Sequence, residues 1–337
     1  MDEYLRARVT DGLSDAQVPL LSLVLKDNNS KGSKAMPQIR ANGIDIEYES
    51  FGRESDPAVL LIMGFSAQMT MWPVAFCEGL AAQGFRVIRF DNRDIGKSAH
   101  LMHLGAPNVP EAMAKMMTGE PVVAPYQLDD MAADAVGLLK ALDIPRAHIV
   151  GASMGGMIAQ IVAAKHPDVT RSLVSIMSTT GNRSLPQGNP EALAAITVPP
   201  ASDSREDRIA AGMKAWRVIG SPGFPDTDEE LREVVSREID RVPYEPTGIA
   251  RQLLAIVAAT PRNEILKTVR CPALVIHGAD DLLVPVEGGK DTAASIPGCK
   301  LVIVPGMAHD FTKRLVPIYL GHAGGFLEDV ERSDRAA

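Results

Sequence analysis

The sequence has few cysteines, few aromatic residues and no long hydrophobic run. Its 337 residues include three cysteines, which are too few and too scattered for a disulfide framework or a zinc cluster. No stretch approaches the roughly 20 apolar residues that a membrane-spanning helix needs. The N-terminus lacks the basic start and the small-residue cleavage site of a signal peptide. We therefore expect a cytoplasmic protein with free thiols and no membrane span.

The sequence also has fewer basic than acidic residues. The 34 lysines and arginines stand against 42 aspartates and glutamates, which gives a formal net charge of −8. An acidic chain without a basic block is a poor partner for nucleic acid or for an anionic membrane. The shares of hydrophobic (46%) and charged (23%) residues are typical of a globular domain, not of a disordered chain or a coiled coil. We expect a small-molecule partner, and we leave open whether the chain is a monomer or a homodimer.

Continuous apolar runs alternate with helical patterns along most of the chain. The first run, Ala58-Val59-Leu60-Leu61-Ile62-Met63, is followed by similar runs at 85–90, 148–150, 173–177, 273–276 and 301–304. Such runs are typical of strands that are buried on both faces of a parallel sheet. Their alternation with helical patterns predicts a doubly wound, mostly parallel α/β sheet. Asn42-Gly43 predicts an antiparallel hairpin that precedes it.

Two segments interrupt this pattern. Residues 1–37 include a long polar stretch, and we interpret them as an N-terminal arm. Residues 181–260 have no clear buried strand but have helical stretches at 205–219 and 228–239. We interpret 181–260 as a helical cap on the C-terminal side of the sheet. The α/β core then comprises residues 38–180 and 261–337.

The sharpest motif is Gly151-Ala152-Ser153-Met154-Gly155-Gly156, which lies between a predicted strand and a predicted helix. A serine in such a turn projects its hydroxyl away from the backbone, and the flanking glycines leave room for the steeply turned chain. The helix N-terminus supplies free N–H groups for a developing oxyanion. A dinucleotide-binding fingerprint would need glycine in place of Ser153, and Ile95-Gly96-Lys97-Ser98 matches only the end of a phosphate-binding loop. The motif therefore predicts a nucleophilic serine.

A nucleophilic serine needs a base, and the base needs an orienting acid. Of the seven histidines, His309 has the right chain order and lies in a loop that follows a predicted strand. The acid is expected in the loop after the strand at 273–277, where Asp280 and Asp281 are both candidates. His148 and His277 lie in or at the ends of predicted buried strands, so we interpret them as structural.

Together these motifs resemble those of α/β-hydrolase-fold serine hydrolases over about residues 38–330. The resemblance implies that the acid is the aspartate of a Gly-x-x-Asp-x-x-x-Pro string, here Gly278 to Pro285, which selects Asp281. It also implies that the N–H groups of Phe65 and Met154 form the oxyanion hole. The family usually has His-Gly where this chain has Met63-Gly64, so an imidazole that braces the loop is missing here.

A second family-like string is Asp91-Asn92-Arg93-Asp94-Ile95-Gly96-Lys97-Ser98. It resembles the family's Asp-x-Arg-Gly-x-Gly-x-Ser turn, and we interpret it as architectural, with Asp91 and Arg93 holding loops by charge-assisted hydrogen bonds. The amino-acid sequences of this turn and of the serine motif are most similar to those of the aclacinomycin methylesterase-like branch of esterases.

The resemblance implies hydrolysis of a carboxylic ester through an acyl-enzyme, with Ser153, His309 and Asp281 as the triad and without a metal or an organic cofactor. The same triad serves cofactor-free haloperoxidases (perhydrolases) and carbon–carbon bond hydrolases. A non-catalytic ligand-binding protein of this fold is a further alternative. We expect an apolar substrate pocket whose wall includes the side chains of Met63, Phe65, Met154 and Trp216.

Overall fold

The computed structural model describes residues 37–336, so the predicted arm lies, apart from Pro37, outside the described residues. One sheet of eight strands runs through these residues in the order β1-β2-β4-β3-β5-β6-β7-β8. Its strands are β1 (Gln38–Ala41), β2 (Ile44–Phe51), β3 (Ala58–Ile62), β4 (Arg86–Phe90), β5 (Ala147–Ala152), β6 (Thr170–Ile176), β7 (Ala273–Gly278) and β8 (Lys300–Val304).

Helices connect the strands. They are α1 (Val74–Ala82), α2 (Val109–Thr118), α3 (Leu128–Ala141), α4 (Met154–Lys165), α5 (Pro190–Thr197), α6 (Arg205–Ile219), α7 (Asp228–Arg241), α8 (Pro246–Ala258), α9 (Asn263–Leu266), α10 (Val286–Ser295), α11 (Val316–Tyr319) and α12 (Gly325–Ala336). Short 3₁₀ turns lie at Met69–Met71, Met102–Leu104 and Pro167–Val169, and a π-helical turn, Leu320–Gly324, joins α11 to α12.

Six of the strands are parallel to one another. β3 pairs with β4 and β5, and β5 to β8 continue the sheet in parallel, whereas β1 and β2 form an antiparallel hairpin that pairs with β4. The predicted mostly parallel sheet with its opening hairpin is confirmed. Strand bounds differ by up to three residues from the apolar runs, as at β6, which begins at Thr170.

The apolar runs arise because both faces of the sheet are covered. All five residues of β3 are buried. Leu60 and Ile62 pack in one hydrophobic cluster with residues of α3 and α4, while Val59 and Leu61 pack in another with residues of α1 and α12. Successive side chains of a strand point to opposite faces, so a strand covered on both sides needs apolar residues at every position.

Four helices, α5 to α8, lie in the segment between β6 and β7, within the residues that we named the cap (181–260). α6 packs against both α5 and α7. α7 begins with a capping box, in which Thr227 and Glu230 each accept a hydrogen bond from the other's backbone N–H. It ends at Arg241, two residues beyond the predicted helix, and α5 and α8 were not predicted individually.

None of the described helices combines the length and the apolar character needed to cross a membrane. The three cysteines are free. Cys271 and Cys299 precede β7 and β8, which pair with each other. Both cysteines therefore lie at the edge of the sheet away from the carboxyl ends of the strands. Burial raises the pKa of the Cys77 thiol to about 12. The cytoplasmic location, the absence of nucleic-acid partners and the oligomeric state stay predictions.

Candidate active site

The carboxyl ends of β3, β5, β7 and β8 face the same edge of the sheet because these strands are parallel. Each is followed by a loop that carries a predicted site residue: Phe65, Ser153, Asp281 and His309. A cavity of about 720 Å³ opens above these loops and is walled on its far side by the cap. This is the edge at which open α/β sheets bind ligands.

The turn at Ser153 has a strained backbone. Ser153 has φ 54° and ψ −121°, a conformation that residues other than glycine rarely adopt. A Cβ on Gly151 would clash with the Gly155 carbonyl group, and a Cβ on Gly155 would clash with the carbonyl oxygen of Ile62. The glycines therefore allow β5 to turn directly into α4, with Ser153 at the apex.

Ser153, His309 and Asp281 form one hydrogen-bonded row. His309 Nε2 lies 2.9 Å from Ser153 Oγ, and His309 Nδ1 lies 2.7 Å from Asp281 Oδ2. A carboxylate can only accept, so Nδ1 carries the proton and Nε2 is free to accept the serine proton. His309 and Asp281 are buried, and Ser153 is half-buried beside the cavity.

The structure places Asp281, and not Asp280, against His309. The second oxygen of Asp281 accepts the backbone N–H groups of Leu283 and Val284, both at 2.9 Å. Asp280 is exposed and accepts the Gly306 N–H at 2.7 Å. Its carboxylate therefore holds the two neighbouring loops together and does not contact the imidazole.

His277 is a second imidazole beside the same carboxylate. It is fully buried, its Nε2 lies 2.8 Å from the Val284 carbonyl oxygen and 3.6 Å from Asp281 Oδ2, and burial lowers its pKa. It is therefore neutral at pH 7 and donates from Nε2 to the carbonyl oxygen. This agrees with its structural interpretation.

The cap holds the loop that carries His309. The His309 N–H donates to the Ile219 carbonyl oxygen at 2.9 Å, and the Ala308 N–H donates to Ser221 Oγ at 2.7 Å. Ser221 in turn donates its N–H and its hydroxyl to Asp310, at 2.8 and 2.5 Å. Burial raises the pKa of Asp310 to about 6. Sequence reasoning missed Ser221 and Asp310, because no local motif links positions so far apart.

The loop after β3 passes close to the serine. We call residues 63–68 the oxyanion loop. A Cβ on Gly64 would lie 3.1 Å from Ser153 Cβ, so the loop and the serine turn are in contact. Among residues 37–336, neither the Phe65 N–H nor the Met154 N–H has a hydrogen-bond acceptor. Both amides are therefore available as donors, and Met154 is the first residue of α4.

The cavity wall is mostly apolar. Met63, Phe65 and Trp216 line it, together with Ala211, Ala215 and Ile219 from the same cap helix as Trp216. The expectation for the Met154 side chain is wrong. It is fully buried in the core cluster with α3 residues, because the first residue of α4 directs its side chain back into the protein.

The turn at residues 91–98 connects loops through buried charges. Asp91 accepts the N–H groups of Met69 and Lys97 at 2.8 and 2.9 Å, and it pairs with Arg241 of the cap at 2.7 Å. Arg93 makes two hydrogen bonds to Asp134, at 2.6 and 2.7 Å. These contacts agree with the architectural interpretation of this turn.

Residues 57–312 match the family model described as alpha/beta hydrolase fold. Rhodomycin D methylesterase DauP of Streptomyces sp. (strain C5) is 26% identical over 283 residues, which are 77% of this chain and 87% of the relative. A putative non-heme bromoperoxidase, BpoC, of Mycobacterium tuberculosis is 25% identical over 289 residues, which are 79% of this chain and 91% of the relative.

Solved structures resemble the chain as well. A meta-cleavage product hydrolase from Pseudomonas fluorescens IP01 superimposes with a TM-score of 0.64 at 21% identity, over 89% of this chain and 98% of that one. At this identity the likeness shows the fold alone.

Proposed function

Because the chain belongs to the alpha/beta hydrolase fold family, we propose that it hydrolyses carboxylic esters with Ser153, His309 and Asp281 as its catalytic triad. The observation that carries this proposal is the hydrogen-bonded row from Ser153 Oγ through His309 to Asp281 at the floor of the cavity. The similarity to a methylesterase supports an ester as the substrate.

In the first half-reaction, His309 Nε2 takes the Ser153 proton while Oγ attacks the ester carbonyl carbon. The resulting tetrahedral intermediate collapses, His309 gives the proton to the departing alkoxide, and an acyl group remains on Ser153. In the second half-reaction, His309 takes a proton from water, the hydroxide attacks the acyl carbon, and the acid leaves as Ser153 recovers its proton. Asp281 keeps Nδ1 protonated and stabilises the imidazolium in both halves.

The negative charge that develops on the carbonyl oxygen needs donors that are already in place. The N–H groups of Phe65 and Met154 are the proposed donors, because they lie beside Ser153 and have no acceptor among the described residues. Removing one donor of this kind typically costs about 10² to 10³ in kcat. The positive end of α4 adds to the same stabilisation.

The size and chemistry of the cavity favour a bulky, apolar acyl group. It measures about 720 Å³, and Phe65, Met71, Trp216 and Leu253 are among the apolar side chains that face it. Pockets of this size accommodate a drug-sized molecule, with few polar groups to orient it. We therefore propose esters of large apolar acids, including methyl esters, as preferred substrates.

Burst kinetics test the proposal. Mixing the protein with a p-nitrophenyl ester should release up to one equivalent of p-nitrophenol per site before the steady state, because an activated ester acylates the serine faster than water removes the acyl group. Mass spectrometry of the quenched mixture should place the acyl group on the peptide that contains Ser153. Hydrolysis with the acyl group on a residue other than Ser153 would contradict the triad.

A second candidate function is perhydrolysis, in which hydrogen peroxide replaces water in the second half-reaction. The similarity to a putative non-heme bromoperoxidase favours it. The product would then be a peroxyacid, which can oxidise bromide. A bromination assay with peroxide and acetate, compared with ester hydrolysis by the same preparation, separates the two activities.

A further inference from the structure

Gln252, on α8 of the cap, contacts the oxyanion loop although it lies far away in sequence. Its side chain is fully buried. Its carboxamide oxygen accepts the Ser66 N–H at 3.0 Å, and its NH₂ group donates to the Arg93 carbonyl oxygen at 2.8 Å. We infer that Gln252 is a positioning residue that holds the oxyanion loop with the Phe65 N–H beside Ser153, an inference that rests on the proposed function.

The loop needs such a contact because its backbone is strained. Ser66 has φ 56°, in the left-handed region. For a residue other than glycine this conformation costs on the order of 1–2 kcal/mol, and it persists only where the surroundings hold it. The Ser66 N–H belongs to the peptide group directly after Phe65. A hydrogen bond to it fixes the plane of that peptide group and so restricts rotation next to the proposed donor.

Within residues 37–336, one core side chain makes a hydrogen bond to the oxyanion loop. The Asn92 side chain donates to the Met63 carbonyl oxygen at 2.9 Å. At the other end, Gln68 contacts the cap again: its side chain donates to the Glu238 carbonyl oxygen and accepts from Arg241, both at 2.6 Å. The side-chain contacts to the middle and the end of the loop therefore come from α8 and α7.

Gln252 is itself well fixed. The preceding residue, Arg251, makes two hydrogen bonds to Asp94, at 2.7 and 2.8 Å, and both side chains are fully buried. Bidentate pairs of this kind restrict orientation as well as distance. α8 is thereby held in register on the turn at residues 91–98, and the carboxamide of Gln252 meets Ser66 without first having to be ordered.

Gln252→Met tests the inference, because it removes both hydrogen bonds at similar side-chain volume. We expect kcat, counted per site by the burst amplitude, to fall by about 10- to 100-fold, less than the loss of an oxyanion donor. KM should stay within about threefold, because the cavity wall is unchanged. Gln252→Glu retains an acceptor for the Ser66 N–H and should restore part of kcat.

Gln160→Met is the matched control. Gln160 is also a fully buried glutamine with a donor and an acceptor contact, to Ser175 Oγ at 3.3 Å and from Arg262 Nε at 3.0 Å. It does not contact the oxyanion loop. We expect it to lower the melting temperature at least as much as Gln252→Met, with kcat per site changed by less than about twofold.

Amide hydrogen exchange supplies a readout that does not depend on turnover. The Ser66 amide should exchange faster in Gln252→Met than in the wild type and should be unchanged in Gln160→Met. If Ser66 protection is the same in all three proteins, or if both variants lose the same fraction of kcat per site, the positioning role is wrong. A wild type that hydrolyses no ester would contradict the ester hydrolase proposal, while the exchange measurement would still decide the role of Gln252.

Discussion

Two rows of serine, histidine and carboxylate occur in this molecule, at opposite edges of the same sheet. In the first, His309 connects Ser153 and Asp281. In the second, His148 Nδ1 lies 2.7 Å from Ser172 Oγ, and His148 Nε2 lies 3.1 Å from Glu331 Oε1. The hydroxyl donates to the imidazole and the imidazole donates to the carboxylate in both rows. Residue types and hydrogen-bond distances therefore do not distinguish them.

Their surroundings do. Ser153 stands in a strained turn beside the cavity, whereas Ser172 is a fully buried residue within β6, and His148 is fully buried on β5. Glu331 also contacts Arg171, so that carboxylate is shared. The second row connects α12 to the sheet and presents no hydroxyl to a substrate. What makes the first row a candidate catalyst is the half-buried serine beside the cavity, the free amides and the cavity itself.

Replacing each serine by alanine is the strongest test of this comparison. Ser153→Ala should lower kcat by about 10⁴ to 10⁶, with an unchanged melting temperature, since only a hydroxyl beside the cavity is lost. Ser172→Ala should keep kcat within about twofold and lower the free energy of unfolding by about 1–3 kcal/mol, because a buried imidazole nitrogen loses its partner. Loss of turnover in Ser172→Ala at unchanged folding would overturn the distinction.

The carboxylates extend the same test. Asp281→Asn should lower kcat by about 10⁴, because an amide in this place favours the wrong tautomer of His309. Asp280→Asn and Glu331→Gln are the controls, and kcat should change by less than about fivefold in each. Steady-state kinetics on one activated ester suffice. Comparable losses in Asp280→Asn and Asp281→Asn would contradict the assignment of the acid.

His148 of the second row couples folding to pH. Burial lowers the pKa of His148 from 6.5 to about 4, so between these values the unfolded chain binds a proton that the folded chain does not. Its contribution to stability is therefore lost as the pH falls from 6.5 to 4, by up to about 1.4 kcal/mol per pH unit.

Urea unfolding of the wild type and His148→Gln at several pH values measures this contribution. The difference in the free energy of unfolding between the two proteins reports on His148, because Asp310 contributes to both. Burial raises the pKa of Asp310 to about 6, so its own contribution is present at low pH and is lost as the pH rises through 6. A difference that stays constant between pH 6.5 and 4 would show that His148 is not the titrating group.

We expect the smallest effect from a change in the cavity, which adjoins the first row and not the second. Trp216→Ala should change the ratio of kcat/KM between long and short acyl chains by roughly tenfold. The change should come through KM, because the loss of the indole ring enlarges the cavity. The melting temperature should change little, since Trp216 is only half-buried. Arg217→Ala is the control, because Arg217 follows Trp216 in the chain but pairs with Asp228 on the exposed side of the helix. Unchanged selectivity together with a large loss of stability would make Trp216 a core residue.

The sheet and the turn at Ser153 were predictable because their signals are local. Strands covered on both faces leave continuous apolar runs, and the turn at Ser153 needs glycines beside it. His309 and Asp281 follow from chain order and from the family string. Gln252 was not predictable, because its partner lies 186 residues away and a glutamine on a helix has no signature of its own. The Met154 side chain was misplaced because a helix pattern does not show which way its first residue points.

The cap contacts have a consequence for recombination between relatives. Ser221 and Gln252 lie within residues 181–260, but their partners, the backbone N–H groups of Ala308 and Ser66, belong to the core. If the cap is exchanged for that of a relative, both amides lose their acceptors unless the cap of the relative has equivalent side chains at these positions. In this protein the cap is therefore not an interchangeable lid that can be transplanted to change specificity, and a chimera must carry these two positions along with the new pocket wall.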